Sequence, residues 1–157
     1  MRREPATEGP EHRSLDLENY VTALIVHLAN KISHGASLLY RERFGIGVND
    51  WRCLVQIAIE PGISPNRICQ VVGLDKAAVS RSVRALEEKA LVEVRASAER
   101  SRFLEIALTD AGRTLHDRIL EIALEREARL LADLDPDERA ALIRALTKMT
   151  RSVADKP

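Results

Sequence analysis

The sequence predicts a mainly α-helical chain with one small β hairpin, and three observations carry that expectation. Apolar residues recur every three or four positions over long stretches at both ends. Two shorter helices in the middle are separated by a tight, glycine-containing turn. Two short apolar segments follow, with a polar, basic loop between them. Together they describe an α+β chain: a winged helix-turn-helix core framed by long N- and C-terminal dimerisation helices.

The chain of 157 residues suits one domain, or one with an appendage. Hydrophobic residues make up 45% and aromatic residues only 3%, so the core must be built from Leu, Ile, Val and Ala, which favours helices. No apolar run approaches the roughly 20 residues of a membrane span. The first fourteen residues are polar, lack the apolar stretch of a secretory signal, and read as a flexible arm. A cytoplasmic location is the default expectation. Cys53 and Cys69 match no disulfide framework or metal-finger spacing, and read as small apolar side chains.

Leu17, Tyr20, Val21, Leu24, Leu28, Ile32 and Leu39 mark one amphipathic helix from 15 to about 43, ended by Phe44–Gly47. Asn49 or Asp50 is the expected cap of a second helix through Trp51, Leu54, Val55 and Ala58. Ser64 followed by Pro65 starts a third: a hydroxyl cap, then a residue whose missing N–H costs nothing at that position. Gly73 ends it, and Asp75 caps a fourth. Residues 91–95 and 102–108 read as the two strands of a wing, with Ala96 to Ser101 as the loop. Thr109 caps a helix from about 110 to 133. Asp135, Pro136 and Glu138 form a capping box for a last helix over about 136–152. The expected division is an arm at 1–14, a helical dimerisation region at 15–45 and 110–152, and a DNA-reading module at 46–109. The apolar stripes of the terminal helices exceed what a small module needs, which predicts a homodimer with two reading heads about one turn of DNA apart.

Net charge is zero, but the charge is segregated. Lys76 to Arg102 holds seven basic and four acidic residues, whereas Glu121 to Arg139 holds seven acidic and three basic. A field confined to one face can steer double-stranded DNA even when the total cancels. On the fourth helix, 100° per residue puts Val79, Val83 and Leu86 on the core side. Ala77, Ser80, Arg81 and Arg84 fall together on the other. Arginine can bond two acceptors on a guanine edge, and Ala77 leaves room for a thymine methyl. Arg81 and Arg84 are the first candidates for base contact, with Ser80 next, while Lys76 suits phosphate. Ser64, Asn66 and Arg67 sit at a helix N-terminus, where free N–H groups suit phosphate. In the wing, Arg95, Arg100 and Arg102 are basic, and Arg100, nearest the tip, is the candidate for the minor groove. Glu87 and Glu88 are expected to face away from phosphate or to pair with a cation.

These residues resemble a known family. A long first helix, Trp51-Arg52 with Leu54, the run VSRSVRALEEKALVEV, and a wing leading into Leu108, Thr109, Gly112 and Arg113 are similar to the MarR family of bacterial transcription regulators. The resemblance covers about residues 15–152. It implies a homodimer on pseudo-palindromic operator DNA, and repression relieved by a small, often aromatic, anionic ligand bound between the dimer helices and the reading head. Two positions depart from the pattern. The family's wing usually carries Asp-x-Arg, which here falls on Arg100 and Arg102, with Glu99 the nearest acid. Ala90 stands where the family favours Gly; a left-handed backbone there would cost Ala about 1 kcal/mol.

By that analogy the effector pocket is lined by His27, Lys31 and His34 of the first helix and by Trp51 and Arg52 of the second. A cation beside an aromatic ring suits an aromatic carboxylate; the competing reading is a packed Trp beside surface cations. A metal- or redox-responsive regulator of the same fold is one alternative, although His27, His34, His116 and the cysteines form no tight ligand set. The family's peroxide sensors carry a cysteine early in the first helix, where this chain has none. A winged-helix module that binds protein instead of DNA is another. No cofactor is implied. An enzyme is not expected: no nucleophile elbow, phosphate loop or HExxH occurs, and adjacent His116 and Asp117 should project in different directions.

Overall fold

The structure, a computed structural model, describes residues 15–96 and 104–154. Its order is α1 (Val21–Phe44), α2 (Val48–Ile59), α3 (Pro65–Val72), α4 (Lys76–Glu88), β1 (Val92–Ala96), β2 (Leu104–Leu108), α5 (Asp110–Leu130) and α6 (Pro136–Ala154). The chain divides into two compact units, one ending at Val48 and the other beginning at Asn49. The expected mainly helical α+β class with a two-stranded wing is what the structure contains. Among the described residues no helix is long and apolar enough to cross a membrane.

In the first unit, α1 starts six residues later than the apolar periodicity suggests. Asp16 is the reason. Its carboxylate accepts the backbone N–H groups of Glu18 and Asn19 and the Asn19 amide, which holds a turn ahead of the helix. The Asn19 contacts also hold the Asp16 carboxyl below its usual range. Gly45, at φ +67°, closes α1 by donating its N–H to the Arg41 carbonyl, a left-handed cap that glycine adopts without a Cβ penalty.

In the second unit, the three-helix arrangement and the wing share one core. Leu54, Ile57, Ile63, Ile68, Val79, Leu86, Val92, Ile106 and Ile119 are all buried. Each such side chain contributes roughly 1.5–3 kcal/mol on leaving water. α3 packs on α4, α4 on β1, and β2 touches both α3 and α5. β1 and β2 run antiparallel, pairing Val92 with Leu108 and Ala96 with Leu104. A single bridge adds Ile63 to the sheet: its carbonyl accepts the Ile106 N–H at 3.1 Å, and the Gly62 N–H reaches the Ile106 carbonyl at 3.0 Å. One-residue pairing leaves no periodicity to read, so the sequence held no sign of it.

Most caps fall where expected. Ser64 accepts the Arg67 N–H, Asp75 the Ala78 N–H, and Thr109 the Gly112 N–H. Asp135 and Glu138 close a reciprocal box, each side chain taking the other's backbone N–H at 2.9 Å. The start of α2 differs. It begins at Val48, so Asn49 and Asp50 lie inside its first turn and do not cap it. An acidic residue there still favours the positive helix end. α5 ends at Leu130, three residues early, in a turn before the last helix.

Candidate nucleic-acid interface

α4 presents two chemically distinct faces. Val79, Val83 and Leu86 are buried, as the helical spacing requires. Lys76, Ala77, Ser80, Arg81 and Arg84 are all exposed. Ser82 is also buried, which the apolar pattern did not indicate. Its hydroxyl hydrogen-bonds the buried Cys53 thiol of α2, so a polar pair sits inside the core with its bonding satisfied.

A groove of about 320 Å³ runs between α3, the outer face of α4 and the wing strands. It brings together Asn66, Lys76, Ser80 and Arg84, four of the expected DNA-contacting residues, with Cys69, Glu87, Val94 and Leu104 also on its walls. Arg67 and Arg81 are exposed but lie outside that groove. Ser64 is half-buried, its hydroxyl oxygen occupied by the Arg67 N–H. The Arg67 guanidinium pairs with Glu60 at 3.4 Å. Arg100 and Arg102 lie outside the described residues. Of the wing arginines, Arg95 is placed, and it pairs with Glu93 on the same strand.

The two helix arginines differ. The Arg84 Nε donates to the Glu88 carboxylate at 2.9 Å, one helical turn on. With 80% and 63% of these side chains in solvent, the pair adds only about 0.3–0.5 kcal/mol to stability. Glu88 therefore pairs with a cation, as expected, whereas Glu87 lines the groove. Arg81 has no acidic partner among the described residues.

The end of α4 sets the angle of the wing. Ala90 has φ +54° and is the non-glycine residue with positive φ among the described residues. Its N–H donates to the Glu87 carbonyl and the Leu91 N–H to the Leu86 carbonyl, which together form a Schellman closure. The left-handed backbone anticipated at this alanine is present.

The residues expected to hold an effector are divided between the two units. His27, Lys31 and His34 are exposed on α1. On α2, Arg52 is exposed and Trp51 is buried. The Trp51 ring lies against His116 of α5, with centroids 5.4 Å apart, so it serves as packing in that unit. His116 in turn shares a 2.9 Å hydrogen bond between its Nδ1 and the Asp117 carboxylate. That corrects the expectation that the two point apart: the short Asp117 side chain folds back to its neighbour's ring. No group of three or more His, Cys, Asp or Glu side chains able to hold a metal occurs among the described residues.

Comparison with known proteins agrees with this geometry. The model of the MarR family matches residues 44–102. The chain is 36% identical to a MarR/EmrR family transcriptional regulator from Acinetobacter sp. ADP1, whose crystal structure it matches with a TM-score of 0.84 over 90% of this chain and 100% of that one. It is 25% identical to MepR in the crystal structure of the S. aureus MepR–DNA complex, with a TM-score of 0.76 over 87% of this chain and 98% of that one. An uncharacterised HTH-type transcriptional regulator of Bacillus subtilis, YdgJ, is 34% identical over 94 residues, 58% of this chain and 56% of that protein. The match thus spans little more than half of that curated relative.

Proposed function

The chain belongs to the MarR family of transcriptional regulators, which are not enzymes, and from that premise we propose that it binds double-stranded operator DNA through the outer face of α4. One observation carries the reading. Ala77, Ser80, Arg81 and Arg84 share a solvent face on a helix whose other side is locked into the core, so the face is rigidly presented. A helix of that width fits the major groove. Asn66 and Lys76 border the same groove and supply phosphate contacts. Arg100 and Arg102 extend the contact from the wing.

The protein acts as a homodimer on a pseudo-palindromic operator. In support, the terminal helices expose apolar residues that a lone chain leaves wet: Leu24 and Leu28 of α1, and Leu142, Ile143, Leu146 and Val153 of α6. None of the residues of α6 whose burial is described is buried. It is a repressor, released when a small ligand, in the first instance an aromatic acid, engages His27, Lys31 and His34, which are all exposed on α1.

Fluorescence anisotropy on a labelled duplex from the chain's own upstream region tests the DNA reading. Affinity should fall steeply with salt, with a log–log slope of several units, as counterions leave the phosphates. A slope near zero, or no binding at low salt, would sink it.

A further inference from the structure

We propose that Glu88 is a specificity-determining residue that positions the Arg84 guanidinium for base reading; the proposal rests on α4 being the DNA-reading helix. An arginine on a helix surface samples many rotamers, and each must be given up on binding. Here the Arg84 Nε is held by the Glu88 carboxylate at 2.9 Å, and Arg84 has no other hydrogen-bond partner among the described residues. With Nε engaged, the guanidinium is tethered at one nitrogen, and on a side chain 80% exposed its two terminal nitrogens remain as an unbonded fork. That fork is the donor pair that matches O6 and N7 of guanine.

The carboxylate has a second effect. It sits beside the guanidinium and repels phosphate, so an off-target pose in which Arg84 grips the backbone is penalised. Arg81 lacks such a brace: positions one turn before and after it are Ala77 and Ala85. The two arginines are thereby given different work. Arg84 is a directed reader, and Arg81 is an adaptable contact that takes base or phosphate. As a stabilising ion pair the contact is too exposed to matter, which leaves orientation as its consequence.

Selection from a randomised duplex library by the full-length wild type, Arg84→Ala, Glu88→Ala and Glu88→Gln tests this. Thermal melts confirm that all four are folded. The wild type should enrich a motif. Arg84→Ala should lose its base preference at one position per half-site, and Glu88→Ala should lose preference at that same position by about twofold, the most so exposed a pair can hold, while keeping the rest. Glu88→Ala should also bind a scrambled duplex several-fold more tightly than wild type, with a salt slope steeper by about one phosphate. Glu88→Gln, which keeps an acceptor for Nε without the charge, should retain part of the preference. A Glu88→Ala motif identical to wild type, beside a degraded Arg84→Ala motif, overturns the positioning role and leaves the DNA reading intact. An Arg84→Ala motif identical to wild type overturns it as well. Failure of the wild type to enrich any motif removes the DNA reading itself.

Discussion

Thr109 joins the end of α4 to the start of α5: its hydroxyl donates to the Ala90 carbonyl at 2.7 Å and accepts the Gly112 N–H at 3.0 Å. One oxygen thus caps α5 and anchors the left-handed turn that aims the wing. Thr109→Ala should cost about 1–2 kcal/mol, as losing a helix cap does. Thr109→Ser should recover most of it. Urea unfolding midpoints check both.

Ala90 carries the strain at that turn. At φ +54° its Cβ crowds the backbone, and the residue is exposed, so the side chain gains nothing from burial. Ala90→Gly should raise stability by about 0.5–1 kcal/mol after allowing for glycine's greater freedom when unfolded. A thermal melt that moves down instead of up would show that the methyl has a use the geometry does not reveal.

Gly112 is required by close approach. A Cβ built there would lie 1.9 Å from the Leu91 carbonyl oxygen, a backbone atom that cannot step aside. The same carbonyl accepts the Thr109 N–H at 3.1 Å. Gly112→Ala should therefore part α5 from the wing and destabilise the protein by roughly 3 kcal/mol. Denaturant unfolding with hydrogen exchange at the wing amides reports both effects.

The two thiols should behave differently. Burial pushes the Cys53 thiol from its ordinary 9.0 up to about 11, the Asp50 charge adds to that, and the Ser82 hydroxyl partly offsets it. Cys69 is half-buried at the groove. Ellman's reagent should find Cys69 first and Cys53 only on unfolding. A raised folded pKa means the folded chain keeps a proton that the unfolded chain gives up. This contribution is fully present below about pH 9 and is lost as pH rises from about 9 toward 11. Unfolding free energy should fall through that window more steeply in wild type than in Cys53→Ala.

What was legible in the chain follows its local physics. Ser64–Pro65, Gly73, Asp75 and Asp135–Glu138 announce helix ends through hydrogen bonds made within three or four residues. The two faces of α4 follow from 100° per residue, so Val79 inward and Arg81 outward were readable. The start of α1 was not, because Asp16 diverts the backbone before the apolar stripe can act. Long-range pairings were also hidden. Trp51 against His116, Ser82 against Cys53 and Ile63 against Ile106 join segments whose sequences carry no mark of each other. The brace of Arg84 by Glu88 was foreshadowed only as the expectation that Glu88 faces away from phosphate or pairs with a cation. The effector residues were the least legible, since their grouping came from resemblance and falls on two separate units.

The central claim is that the outer face of α4 distinguishes one DNA sequence from another. Its most direct measurement is the affinity of wild type and of the Arg81→Ala, Arg84→Ala double variant for two duplexes, the sequence preferred by wild type and a scrambled copy, at one salt concentration. The double variant should lose roughly 100-fold or more in the ratio of the two affinities, as expected when both half-sites lose the Arg84 base contact, while remaining folded. A double variant that keeps the wild-type ratio would contradict it.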